Sequence, residues 1–205
     1  MTYLQINKII SNLKEAGFQI FTLDDFAKRF KLPKRKATLF LSRNIKKNYF
    51  TRIKNGLYYL TENPPAIFNI ANISIQPSYI SIETALSYYN IIPETIYSIT
   101  SMTTKHSKSL IINNQEYKYH KLSKKLYFGY VLKNINGYNI FIAEKEKALL
   151  DYIYYIARGN REMNDRINLK TINRSLLIKH FQYFKKEINN KLFVKKMELI
   201  IDSLK

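Results

Sequence analysis

Apolar residues near the start of the chain recur with the period of a helix: Ile6, Ile9, Ile10 and Leu13 would share one face. That spacing predicts an amphipathic helix over residues 3–16, with Gly17 as its stop. Thr22-Leu-Asp-Asp25 has the form of a capping box, in which the threonine hydroxyl takes an orphan amide and the acid answers from the third position. Leu23, Phe26, Ala27 and Phe30 then supply the buried stripe of a second helix. Leu32-Pro33 ends it, because proline disfavours helix in the residue before it. A third helix is expected from Lys34 to Lys47, with Ala37, Leu41 and Ile45 facing the core beside Phe40, and Asn48 as a left-handed stop. Tyr49–Ile53 and Leu57–Leu60 read as short strands. Asn55-Gly56 between them favours a hairpin turn with both residues at positive φ.

The pattern changes after Glu62-Asn-Pro-Pro65. Residues 63–82 carry no charged side chain, which predicts a connector partly packed on a second domain. Ser81–Tyr89 should be helical, with Ile82, Ala85, Leu86 and Tyr89 on one side. Strand signals follow at Ile96–Thr104, then at Ser109–Ile112 and Glu116–Leu122 around Asn113-Asn114. Tyr127–Ile135 and Tyr138–Ala143 form another expected hairpin, around Asn136-Gly137. Helix returns at Glu144–Ala157, whose apolar face would be Ala148, Leu149, Tyr152, Ile153 and Ile156, and twice more at Asn173–Ile188 and Lys191–Leu204. The expected fold class is α+β. Residues 1–62 have the helix, helix, helix, hairpin order of a winged helix-turn-helix, 63–80 form the connector, and 81–205 form a mixed α/β C-terminal domain ending in helices.

Charge gives this arrangement a partner. The net charge is +19, from 34 Lys+Arg against 15 Asp+Glu, a field that attracts polyanions and gains from counterion release. Between Asp25 and Glu62 there are eleven basic residues and no acidic one. On the third helix Arg35, Thr38, Ser42 and Arg43 are candidates for base or near-base contacts in a major groove. Lys34, Lys36, Lys46 and Lys47 are candidates for phosphates, and Arg52 and Lys54 on the hairpin for a minor groove. The competing reading is a solvated basic face with no ligand, or a module that binds protein instead.

Other classes are constrained by what the sequence contains. A hydrophobic content of 46% excludes a disordered chain. There is no cysteine, hence no disulfide, thiolate metal site or cysteine nucleophile. The start lacks the order of a signal peptide, and the uncharged stretch holds Pro64, Pro65 and Pro77, so a cytoplasmic protein with no membrane partner is expected. Seven lysines (Lys105, Lys108, Lys118, Lys121, Lys124, Lys125, Lys133) stand against Glu116 alone between Thr95 and Ala143. They suggest either a second anion-binding surface or a lysine-rich sheet edge that discourages aggregation. His106, His120 and His180 are too scattered for a metal site, and no glycine-rich phosphate loop occurs, so neither metal nor cofactor is expected. Glu144, Glu146 and Asp151 read as acids answering a helix dipole, and Lys147–Asp151 as a surface ion pair.

Several segments together resemble the AbiEi family, antitoxins of bacterial abortive-infection (type IV) toxin–antitoxin systems. In the first domain they are Leu41-Ser-Arg43, Phe50-Thr-Arg-Ile53 and Lys54-Asn-Gly-Leu-Tyr58. In the second they are Pro77-Ser-Tyr-Ile-Ser-Ile-Glu-Thr-Ala-Leu86 through Ile92-Pro93, then Phe128-Gly-Tyr130, and Ile142-Ala-Glu-Lys-Glu-Lys-Ala-Leu-Leu-Asp151. The resemblance covers residues 3–160, with Asn48 standing where the family commonly has glycine. It implies a non-enzymatic autorepressor that binds inverted repeats in its own promoter through double-stranded DNA contacts. It also implies a C-terminal domain that counters a nucleotidyltransferase-like toxin, with or without a stable complex. The alternatives are a plasmid replication initiator, which also uses a basic winged helix, and a nuclease or nucleotide-transferring enzyme.

Overall fold

The computed structural model describes residues 5–135, 137–159 and 161–204. Among them it is an α+β structure with eight α-helices and two sheets. The chain divides into two compact units, the first made of residues up to Ile70 with Ile112–Asn114, the second of the remainder.

The first unit runs α1 (Ile6–Glu15), β1 (Ile20–Thr22), α2 (Leu23–Arg29), α3 (Lys34–Lys46), β2 (Phe50–Lys54) and β3 (Leu57–Leu60). Its strands form an antiparallel sheet in the order β1-β3-β2. The periodicity gives no sign of β1, because three residues are too few to show alternation. Its place is set by pairing, Ile20 with Tyr59 and Phe21 with Tyr58. The expected capping box is present: Asp25 N–H donates to Thr22 Oγ1 at 3.0 Å, and Thr22 N–H donates to Asp25 Oδ2 at 2.8 Å. These bonds hold the Asp25 carboxyl below its ordinary pKa, the side-chain bond from Thr22 first. All three helices end on a left-handed residue, Gly17, Lys31 and Asn48. In each case the following amide reaches back to the last turn: Phe18 to Leu13, Leu32 to Ala27 and Tyr49 to Asn44. Lys31 takes this conformation without being glycine or asparagine, and the paired backbone bonds hold it there. Ile9, Leu13, Phe21, Phe26, Ala37, Leu41 and Phe50 make one core. The hairpin differs from expectation. Gly56 alone adopts positive φ, and the register slips between Arg52 and Lys54, so a bulge with one left-handed glycine replaces the two-residue mirror-image turn.

Inside the expected connector lie a helix, α4 (Ile67–Ser74), and a strand, β4 (Ser78–Ile80). The stretch is uncharged for a different reason than a linker would be. In the second unit β4 is an inner strand, flanked by β5 (Ser98–Thr103) and β9 (Tyr138–Ala143), with Ser78, Tyr79 and Ile80 all buried. The second sheet has the order β6-β7-β5-β4-β9-β8, completed by β6 (Lys108–Ile112), β7 (Gln115–Lys121) and β8 (Tyr130–Ile135). Asn113 and Asn114 both take positive φ in the β6–β7 turn. Asn136 of the other expected turn lies outside the described residues. β8 begins three residues later than the pattern suggests, because residues 124–126 form a 3-10 turn and Gly129 adopts positive φ.

α5 (Ile82–Tyr88) follows β4, and α6 (Lys145–Ala157) is buried around almost its whole circumference, as a helix at the centre of a unit must be. α7 (Arg174–Glu187) and α8 (Lys191–Ser203) close the chain. Each starts on an asparagine whose side chain accepts an amide of the first turn, Asn173 from Leu176 and Asn190 from Phe193. No helix among the described residues is long and apolar enough to cross a membrane.

Candidate nucleic-acid interface

α3 and the β2–β3 hairpin carry every residue that the sequence nominates. Lys34, Arg35, Lys36, Thr38, Ser42, Arg43, Lys46, Lys47, Arg52 and Lys54 are all exposed. A helix turns about 100° per residue, so Arg35, Ser42 and Lys46 form a stripe opposite the buried Ala37, Leu41 and Asn44. Thr38 borders this stripe on one side and Arg43 on the other. Lys36 and Lys47 stand on the Arg43 flank, and Lys34 on the Thr38 flank. The same arithmetic puts Leu39 beside the stripe, between Lys46 and Arg43, where its side chain is 50% exposed. Leu39 is absent from the nominated set, yet its position between the core registers Ala37 and Leu41 marks it as outward-facing. An exposed apolar side chain among cations suits a thymine methyl group.

Electrostatics refine the set. Lys34 Nζ lies 2.8 Å from Asp24 Oδ1 on α2, so the acid-free run of sequence is not acid-free in space at this one position. Both ends are largely exposed, and such a pair contributes little, roughly 0–1 kcal/mol, so it yields readily to a phosphate. Thr38 donates its hydroxyl to the Lys34 carbonyl at 2.9 Å and presents only an acceptor outward while that bond holds. Arg35, Lys36, Arg43, Lys46, Lys47 and Arg52 make no ion pair among the described residues. On the core side Asn44 donates to the Phe40 carbonyl at 2.8 Å, which explains a polar residue buried in the helix.

The seven lysines of the second unit do not form a single edge. Lys108 lies on the edge strand β6 and Lys133 on the opposite edge strand β8, and Lys118 and Lys121 belong to the second strand, β7. Lys118 pairs with Glu116 at 2.9 Å, Lys125 pairs with Glu187 at 2.9 Å, and Lys133 stacks over Tyr89. The aggregation-guard reading therefore fits Lys108 and Lys133 but not the set.

The acids of α6 correct the sequence reading more sharply. Lys147 and Asp151 are a fully buried ion pair, with 0% exposure on both sides, not a surface pair. Asp151 also accepts from the Tyr79 hydroxyl at 3.0 Å and the Ser81 hydroxyl at 2.8 Å, and Lys147 Nζ donates to the Tyr79 oxygen at 2.8 Å. The rings of Tyr79, Phe128 and Phe184 surround the ammonium at 5.3, 5.4 and 5.2 Å. Burial lowers the Lys147 pKa and raises that of Tyr79. Glu146 is buried and caps α7 rather than its own helix, accepting from Asn173 N–H at 2.7 Å. Glu144 precedes α6 without a side-chain capping bond and lies 3.6 Å from His180. Ile82, immediately after Ser81, sits fully buried at φ 58, a conformation that costs a β-branched residue about 1–3 kcal/mol. Ser81 is fixed around it by Asp151 and by two bonds with Thr100.

The three second-domain segments that carry the family resemblance meet here: Tyr79 and Ser81 from the first, Phe128-Gly-Tyr130 from the second, Lys147 and Asp151 from the third. Gly129 takes positive φ, and a Cβ there would stand 3.0 Å from Lys147 Cγ. Tyr79, Ser81, Lys147 and Asp151 are closed to solvent, and the cluster ties β4, β8 and α6 together. Among the described residues no group of three or more His, Cys, Asp or Glu could hold a metal ion. No protein-family model matches the chain, and no curated protein matches it.

Proposed function

We propose that the first unit is a winged helix-turn-helix that binds double-stranded DNA, with α3 in the major groove and the β2–β3 hairpin as the wing. The observation that carries the reading is the single outward stripe of Arg35, Ser42 and Lys46, with Leu39 beside it, flanked by Arg43, Lys36 and Lys47. It is opposite the core-facing residues, and Arg52 and Lys54 on the hairpin are exposed as well. Arg35, Thr38, Leu39, Ser42 and Arg43 read bases, and the remaining lysines hold phosphates. On this reading, supported by the segments that resemble the AbiEi family, the chain is an autorepressor and antitoxin. It binds inverted repeats in its own promoter as paired copies, half-sites about one duplex turn apart. The second unit counters a nucleotidyltransferase-like toxin, and the protein works in the cytoplasm without catalysing a reaction.

Fluorescence anisotropy with a duplex from the region upstream of its own gene tests this. If about six to eight of the cations meet phosphates, log K against log salt falls with a slope of about −5 to −7. Arg35→Ala should cost about 1–3 kcal/mol on the preferred duplex and relax its sequence preference. Lys47→Ala, on the flank, should weaken all duplexes by one factor and reduce the slope by about 1. A flat salt response removes the DNA reading, and identical profiles for the two variants overturn the division between base-reading and phosphate-holding residues. Rescue of growth by the second unit, when a nucleotidyltransferase-like neighbour is expressed, tests the antitoxin half separately.

A further inference from the structure

We propose that a pocket in the second unit, between the end of β7 and the end of α6, binds the terminal phosphate monoester of a nucleotide. The pocket has a volume of about 440 Å³ and is lined by Ser107, Lys121, Ser123, Tyr154, Tyr155 and Arg158, with no carboxylate among them. Lys121 and Arg158 make no ion pair among the described residues, so the lining carries two uncompensated positive charges, matching a monoester dianion. Hydroxyl hydrogens are available beside them. Ser107 Oγ accepts the Lys121 amide at 3.0 Å, which leaves its own hydrogen to donate. Tyr154 oxygen accepts from Arg158 Nη1 at 2.9 Å, with the same consequence. Ser123 precedes the 3-10 turn at 124–126 without capping it.

The site is also held in shape. Tyr155 donates its hydroxyl to the Lys121 carbonyl at 2.7 Å and fixes the end of β7 against α6. Arg158 packs over the rings of Tyr154 and Tyr155, at 5.5 and 6.0 Å. Arg161, which also contacts Tyr155, is paired with Glu83 at 3.0 Å and adds little net charge to the pocket. It lies over the same Tyr155 ring at 5.7 Å and contacts His120 Nε2 at 2.9 Å. The imidazole is pushed down to about 4, by burial first and then by Arg161 and Lys118. A cation at the C-terminus of α6 would by itself only answer the helix dipole. Lys121 and the two serines, which come from other elements, are not needed for that. The pocket is larger than a phosphate requires and leaves room for the attached sugar and base. The phosphate could belong to a free nucleoside monophosphate or to the 5′ end of a nucleic acid. The inference does not rest on the DNA-binding reading of the first unit.

The test is isothermal titration calorimetry of the full chain at low salt. The probes are 5′-AMP, inorganic phosphate, 3′,5′-cyclic AMP and an oligonucleotide with and without a 5′-phosphate. The monoester 5′-AMP should bind roughly tenfold or more tighter than its cyclic diester, which has one charge fewer. The double variant Lys121→Gln/Arg158→Gln should lose binding by a similar factor, while Lys185→Gln/Lys196→Gln, an equal loss of charge elsewhere in the unit, should leave it unchanged. Lys121→Arg should keep most of it, and circular dichroism of each variant reports that the fold is intact. Binding of the 5′-phosphorylated oligonucleotide with no response to 5′-AMP assigns the monoester to a nucleic-acid end. Equal affinity for 5′-AMP and cyclic AMP, unchanged affinity in the double variant, or no binding of any monoester overturns the proposal.

Discussion

Replacing Lys147 by methionine keeps the length of the side chain and removes its charge. The Asp151 carboxylate would then remain at 0% exposure with only the Tyr79 and Ser81 hydroxyls to donate to it. Breaking a buried pair in this way costs about 3–5 kcal/mol, because one charge is left without its counterion. Asp151→Asn alone has the converse effect, leaving the ammonium enclosed by Tyr79, Phe128 and Phe184 with no anion. The double variant Lys147→Met/Asp151→Asn removes both charges, and the amide oxygen can still accept from Tyr79 and Ser81. Its cost should be about 1–2 kcal/mol, less than either single change. The cycle therefore predicts non-additivity of at least about 4 kcal/mol, and each single variant should melt roughly 10 °C lower. Urea unfolding followed by circular dichroism measures the three differences, and hydrogen exchange of the α6 amides reads them locally. A surface pair at this spacing would give singles near zero and a coupling of about 0.3–0.5 kcal/mol. Singles below about 1 kcal/mol, or a double equal to the sum of the singles, would refute the argument.

Two further stability effects follow from the same unit. His120 is neutral in the folded chain down to about 4, against an ordinary value of 6.5, chiefly because of burial. Its contribution is therefore fully present above pH 6.5 and is lost as pH falls to about 4, so at pH 4.5 the parent should have lost about 2–3 kcal/mol more than His120→Asn; parallel pH–stability curves for the two would contradict this. Gly129 and Gly159 both have positive φ, but only at Gly129 would a Cβ meet another side chain, Lys147 at 3.0 Å. Gly159→Ala should thus cost about 1 kcal/mol and Gly129→Ala roughly 2–3 kcal/mol, and equal losses in thermal melts would show that the approach to Lys147 is unimportant.

The first unit was legible because its signals are local. A capping box, a proline stop and a four-residue apolar repeat each act within one turn of helix, so α2 and α3 appear within a residue or two of their expected ends. β1 was not legible, since its three residues become a strand only by pairing with β3, more than thirty positions on. The strand inside the expected connector was hidden for a related reason. An uncharged run with prolines suits a connector and an inner strand equally, and only the neighbours on both sides of β4 decide between them. In the candidate interface the outward side of α3 could be read from the core register, and Leu39 could have been found by the same rule. The approach of Asp24 to Lys34 could not, because it depends on the angle between two helices.

Spacing alone does not distinguish a surface pair from a buried one at Lys147 and Asp151. Residues four apart on a helix share a face, but the interval does not say whether that face meets water or protein. On α6 the apolar register Ala148, Leu149, Tyr152 and Ile153 implied a polar back exposed to solvent, whereas the sheet and the later helices enclose nearly the whole helix. Once enclosed, the ammonium of Lys147 is matched by an anion at 151, with donors at 79 and 81 and an absent side chain at 129, so changing one partner alone is costly. Those demands fall on the residues that make the second domain resemble an antitoxin family. That part of the resemblance is thus accounted for by what the fold requires at its centre. On the proposed readings, contacts with a toxin or a nucleotide are made instead at the surface, at residues such as Lys121 and Arg158.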